Sequence, residues 1–477
     1  MQINFVGGAY LSRSLNLDCQ RCVNLMPVLG ESGNAKSVKA LFGTPGLRLL
    51  STLGGSGGLR ALYRPSVGDA IAVQGASVYR ITTGLVATLV GYVDSLATPV
   101  DIKDNGTTAV LVTGPNGYTL DLGTNVLAQI IDDAFYGAAR VSYNDTSFIF
   151  EKPGSNLFYI TAADGTVTFD ALDFSTAESN AEPIVSHIVN HGELILFKRS
   201  VTEVWRDTGG ADFPYTRDDN AAIEQGCAAK YSVVALDNTV FWLGGDKTGE
   251  GIVWRMNGYT PQRVSHGGVE TAIQGYSDIS DAVAYAYQQE GHTFYVISFP
   301  TGGATWVYDV ATQLWHERAY LDPATGTFGR HRSNCHMYFA GLHIVGDWQN
   351  GNLYALDLNY FSDNGDPLVA LRSAPHQADQ DYHRIRFDSI QVDIEAGVGL
   401  QSGQGAAPLM MIRWSDDGGH TWCPLKTMSM GAVGKFRTRA KRNRLGKARD
   451  RVFEVSISDP VKRVILGAAV QATGLQS

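Results

Sequence analysis

Short apolar runs broken by turn residues set the rhythm of this chain. A β-hairpin recurs seven times, pairing residues 70–73 with 78–81, 109–112 with 118–120, 147–150 with 157–160, 193–197 with 204–205, 239–243 with 253–254, 293–297 with 306–308, and 342–345 with 353–354. Each copy turns on Gly, Asn, Asp or Pro, and each second strand carries an aromatic residue. The copies start 39, 38, 46, 46, 54 and 49 residues apart. A loose period of about 40–50 residues with four strands per repeat marks the blades of a propeller. One four-stranded sheet cannot bury both of its faces, but sheets stacked radially bury each other. The pattern predicts an all-β protein with a β-propeller of six or seven blades over residues 51–362.

The flanks differ from the repeats. Residues 1–50 read as an irregular N-terminal segment of extended pieces and turns. The aromatic rhythm stops near residue 363, after the turn-rich 362–367. Beyond it, Ile390, Val392 and Ile394 alternate with Gln391, Asp393 and Glu395, and a later strand carries Phe453, Val455 and Ile457. Residues 363–477 therefore read as a small antiparallel β domain. Helical periodicity is scarce; the best candidate is 280–290, with Ser280 as its N-cap, and an inter-blade connection is the alternative.

Composition narrows the classes. The 477 residues contain 53 Gly, 10% aromatic and only 18% charged residues, which suits a turn-rich β protein with an ample core. The start of the chain lacks a basic, long apolar leader. No apolar run reaches the ~18 residues of a membrane span, so no membrane anchoring is expected. Five cysteines cannot build a dense disulfide framework. The net charge of -9 is uneven: residues 435–451 hold nine basic residues and Asp450, leaving 29 basic against 46 acidic elsewhere. A basic stripe in an acidic chain reads as a partner contact. The candidates are Arg437, Arg439, Arg442, Arg444, Arg449 and Arg451, whose guanidiniums fork onto carboxylates or phosphates. An acidic protein surface is the favoured partner, with DNA the alternative.

Catalytic and metal signals are weak. Cys19 and Cys22 have metal or redox spacing but no second ligand pair. His331, His336 and His343 fit no metal motif, and the Gly-rich segments 53–59 and 244–248 lack phosphate-loop spacing. No cofactor, metal or catalytic set is expected. Ser415, Asp417, Gly419 and Trp422 resemble the Asp-box of sialidases and other propellers, here read as a structural hairpin staple. That likeness leaves a carbohydrate-active, sialidase-like tail protein as the alternative function.

Three motifs extend the picture. Cys22-Val-Asn-Leu-Met-Pro27 with Thr44-Pro-Gly-Leu47, then Gly291–Pro300 with Thr305–Asp309 and Trp315-His-Glu-Arg318, then Arg444–Glu454, resemble in order and spacing the packaged-DNA stabilisation proteins of tailed phages, the tail hub or nozzle of podovirus-type particles. The resemblance implies a non-enzymatic virion protein made in the bacterial host cytoplasm. It further implies a homo-oligomer, usually a hexamer, that docks below the portal and head-to-tail adaptor, carries tail fibres, spikes or a tip, extends the channel for duplex DNA and helps retain the packaged genome until ejection. An acidic lumen would keep DNA from sticking.

Overall fold

The computed structural model describes residues 2–30, 37–210, 213–221, 223–245, 250–379, 381 and 383–475. Among the described residues, seven antiparallel blades form a ring, each of four strands, with Gly226–Cys227 as a fifth in blade five, and the seven hairpins read from the sequence are the second and third strands of those blades. The first strands are Leu59–Tyr63, Asp101–Asp104, Val141–Asn144, Ile184–Asn190, Val234–Leu236, Val283–Gln289 and Ser333–Phe339. They touch in that cyclic order, and the last meets the first.

The central strands read as continuous apolar runs because both of their faces are covered. In blade one, Ile71 and Val73 enter the core shared with blade two, while Ala70 and Ala72 enter the core shared with blade seven. In blades three to seven a two-residue turn joins the first and second strands, with both turn residues at positive φ: Asp145-Thr146, His191-Gly192, Asp237-Asn238, Glu290-Gly291 and Ala340-Gly341. Such turns match the twist of paired strands.

Ring closure falls to the N-terminal segment. Gly46–Thr52 is the fourth strand of blade seven, antiparallel to Asn352–Asp357 with Leu47 opposite Leu356. It crosses the expected boundary at residue 50. The preceding residues, expected to be irregular, form strands as well. Leu25–Leu29 and Lys39–Gly43 join one sheet of the C-terminal sandwich, in the order Ala440–Ala448, Ile385–Ile394, Val464–Gly474, Lys39–Gly43, Leu25–Leu29. Cys22–Val23 lies between Leu314–Glu317 of blade six and Ala370–Ser373 of the second sandwich sheet. Blade six and that sheet are thus one continuous ladder running on through Asp450–Ile457, Leu409–Ser415 and Lys426–Ser429.

The helix expected at 280–290 is a strand, Val283–Gln289. Its Val-Ala-Tyr-Ala-Tyr alternation is a period of two, with Tyr285 and Tyr287 buried against blade seven. Ser280 sits in an Asx turn, its N–H donating to Asp278 Oδ1 (2.8 Å). The helix among the described residues is Gly267–Gln274, between blades five and six.

Candidate assembly interface

Two places concentrate the chemistry: the junction of propeller and sandwich, and one edge of the sandwich.

At the junction, Asn24 is fully buried at φ +52°. Its Nδ2 donates to the carbonyls of Ala319 (2.8 Å) and Val369 (2.9 Å), and its Oδ1 accepts the Ala319 N–H (3.0 Å). One side chain therefore ties the exit of blade six to the entry of the sandwich. Beside it Arg21 pairs with Glu317 (2.8 Å). Arg372, fully buried, donates to the carbonyls of Phe5 (2.8 Å) and Gly8 (2.9 Å), so carbonyl dipoles replace water around its charge. Glu454 accepts from Ser373 Oγ (2.8 Å) and Arg413 Nε (2.6 Å). The three motifs quoted above meet here, which accounts for their residue types. Sequence reading left Asn24, Arg372 and Glu454 without roles; the Asn inside the N-terminal motif was the signal available.

The basic stripe divides. Ala440–Ala448 is the edge strand of its sheet, bonded on one side to Ile385–Ile394. Ala440, Leu445 and Ala448 point inward and are buried, and a bulge at Arg444 (φ +63°) interrupts the ladder. Arg437, Arg439, Arg444 and Arg449 are exposed and Arg442 is half-buried. Among the described residues, Arg437, Arg439, Arg442 and Arg444 form no ion pair within the chain. Cations and a bulge on an edge strand block unselective pairing with other strands and leave a cationic rim open to an acidic partner.

Arg451 belongs elsewhere. It is 1% exposed, forks onto Asp416 (2.6 and 2.7 Å), donates to the Leu445 carbonyl (2.7 Å) and lies over Phe387 (4.6 Å). It is a core arginine and does not reach the rim, so it leaves the interface set. It is the second residue of the strand Asp450–Ile457, at the same parity as Phe453, Val455 and Ile457, and that parity was legible.

The Asp-box lies in the turn after Leu409–Ser415, outside the propeller. Ser415 Oγ donates to Asp417 Oδ1 (2.6 Å) and accepts the Gly419 N–H (2.8 Å), while Asp417 accepts from Thr421 N–H (2.8 Å) and Oγ1 (2.6 Å). These donors, Ser415 foremost, hold the Asp417 carboxyl well below the usual range. Trp422 is half-buried beneath the Arg413 guanidinium (4.7 Å).

The remaining sequence candidates do not converge. Cys19 lies 3.8 Å from His376 Nε2, and Cys22 Sγ donates to the Leu25 carbonyl (3.2 Å); both are free thiols. His336 Nε2 meets His343 Nδ1 (3.2 Å), and burial pushes His336 down to about 3. Gly244 and Gly245 end a blade-five strand, and the rest of that Gly-rich segment lies outside the described residues. Side chains on and just before the first strands crowd the propeller axis: Arg60, Tyr63, Arg140, Tyr231, Tyr285 and His336 line a space of about 180 Å³, and Pro99, Tyr231, Val283 and Asn334 of that wall also line a cavity of about 700 Å³. Among the described residues, no helix is long and apolar enough to cross a membrane.

A seven-bladed propeller locked by a shared sheet to a β-sandwich defines a propeller–sandwich protein. The chain belongs to the bacteriophage P22 Gp10 family: the family's β-propeller matches residues 1–360 and its β-sandwich residues 374–473. It is a structural protein of the phage virion tail, from the packaged-DNA stabilisation family, and not an enzyme. No curated protein matches the chain in sequence. Among solved structures it is similar to the N-terminal domain of Nup159 (10% identity, TM-score 0.42, covering 70% of this chain and 98% of that one). It is also similar to a chain of the mitotic checkpoint complex (12%, 0.43, 69% and 96%) and to PorZ of Porphyromonas gingivalis (11%, 0.39, 80% and 46%).

Proposed function

We propose that this tail protein is the nozzle: several copies, six by family resemblance, ring the tail axis below the head-to-tail adaptor, extend the DNA channel and hold the genome until ejection. The observation that carries the reading is the open basic edge, 437–444, with Arg437, Arg439, Arg442 and Arg444, and Arg449 beyond it, as the subunit or adaptor contact. A cationic rim on an acidic protein suits an acidic patch on a neighbouring copy or on the adaptor. The crowded propeller axis supports the ring as well. Arg60, Arg140, Tyr231 and Tyr285 reach the axial space, whereas a duplex is wider than its own major groove of about 12 Å, so in this reading the conduit lies between copies. Tail fibres, spikes or a tip dock on the outer loops. The division at residues 50 and 362 belongs to the same proposal, amended so that Gly46–Thr52 goes with the propeller.

Arg437→Glu, Arg439→Glu and Arg444→Glu together test it. The variant is expected to fold and to leave heads without tails that leak DNA, and normal infectious particles would overturn the assignment. DNA as the partner predicts instead duplex affinity that falls steeply with salt in the isolated protein.

A further inference from the structure

We infer that the outer edge of blades two and three receives the basic edge of a second copy of this chain, so that copies join head to tail. This deepens the nozzle reading and rests on it. The outermost strand of a blade leaves one side open for pairing. In blades six and seven that side is covered, by Cys22–Val23 against Leu314–Glu317 and by Ser362–Asp363 against Gly46–Thr52. In blades two and three, among the described residues, the outermost strands Leu127–Gln129 and Phe169–Thr176 pair with their inner neighbours alone.

The sequence makes this open edge apolar and acidic. In Phe169–Thr176 the four residues 170–173 stand opposite Ile160 alone, so they bulge off the blade and leave Leu172 78% exposed. The segment leaving blade two presents Ile131, 91% exposed, and its Phe135 packs on Phe169 (5.4 Å), which joins the two into one patch. Asp132, Asp133 and Asp170 are exposed around it and Asp173 is half-buried. Among the described residues none of these four forms an ion pair within the chain. Residues 121–137 and 162–183 contain no Lys or Arg, and Lys152, in a turn of blade three, lies over the Tyr136 ring (4.1 Å). Burial, and then Asp170, hold the Asp173 carboxyl above the usual range, a cost that a cation removes. Exposed apolar side chains rimmed by charge mark an interaction surface.

The chain carries the complement itself. On the sandwich, Phe436 (75% exposed) and Val433 stand open among Lys435, Arg437 and Arg439, with Arg444 further along the edge. Apolar surface set in cations thus answers apolar surface set in acids. The two faces also point apart. The sandwich joins the outer side of blade six, and around a ring of seven, blades two and three are the two farthest from blade six. In its own sheet the basic strand is last in order from Leu25–Leu29, the strand at the junction. One copy can therefore reach two neighbours at once, and a contact between unlike faces closes into a ring when its rotation allows.

Charge exchange in the full-length protein tests this, in parent phage supplied with the gene in trans. Asp133→Arg, Asp170→Arg and Asp173→Arg together should cut the yield of infectious particles about a hundredfold or more, as should Arg437→Glu, Arg439→Glu and Arg444→Glu together. A chain carrying all six substitutions restores opposite charges across the contact and should recover about tenfold or more over either set alone. Leu172→Lys repeats the blade test at a position open to water, where folding is not at stake, and should lower the yield as well. Parent-like yield from both blade variants beside a defective edge set would overturn the inference, as would a six-substitution chain no better than the edge set; the basic edge would then belong to the adaptor or to DNA. Parent-like yield from the edge set would remove the nozzle contact along with it.

Discussion

Replacing Arg451 with Ala separates the two readings of the basic stripe. The side chain is 1% exposed and spans the sandwich from Asp416 to the Leu445 carbonyl across Phe387, Trp414 and Phe453. Asp416 is 45% exposed, so water screens the ion pair, which adds about 1 kcal/mol at most. The carbonyl of Leu445, itself buried, would lose its charged donor at about 1–3 kcal/mol, and the void over Phe387 adds a cavity cost of similar size. The terms sum to about 2–7 kcal/mol, which lowers the melting temperature by several degrees. Arg439→Ala removes an exposed cation and should stay within about 0.5 kcal/mol of the parent. Calorimetry of the two variants beside the parent reads the difference. An Arg451→Ala protein melting with the parent would refute the core assignment and return this residue to the interface.

Three further outcomes are expected. Leu47→Ala, at a fully buried position of the strand that closes blade seven, should cost about 2–5 kcal/mol and raise proteolysis between blades one and seven; parent-like resistance would argue against closure by this strand. His376 is raised to about 10, chiefly by its bond to Asp450 (2.6 Å) and then by Cys19, while it also reaches the Leu15 carbonyl (2.9 Å). The folded imidazole therefore keeps a proton that the unfolded one loses near pH 6.5. Its contribution is complete below that pH and is lost as pH rises through about 10, so denaturation across this window should show a slope that His376→Gln lacks. Neutralising acidic residues that face the channel should slow ejection, and unchanged ejection kinetics would count against an acidic lumen.

What the sequence disclosed follows the range of the interactions. The seven hairpins were legible because each is local and both faces of its strands are buried, leaving apolar runs between turns. The strand Val283–Gln289 was mistaken for a helix because its alanines suit either element, although its tyrosines keep a period of two. The closing strand was hidden: Leu47 pairs with Leu356, Val23 runs beside Glu317, and no local pattern reports a partner about three hundred residues away. At the edge, charge density revealed the stripe. Tertiary packing separates Arg439, in water, from Arg451, stacked on Phe387; the parity that Arg451 shares with Phe453, Val455 and Ile457 was the local sign of it.

Electron microscopy of the parent phage, with this protein labelled, tests the central claim most directly. The nozzle account predicts a ring of label beneath the portal, each propeller off the tail axis, DNA passing between copies, and the edge Ala440–Ala448 pressed against a neighbouring copy or the adaptor. Label on peripheral fibres, or a ring whose basic edge faces open solvent, would contradict it.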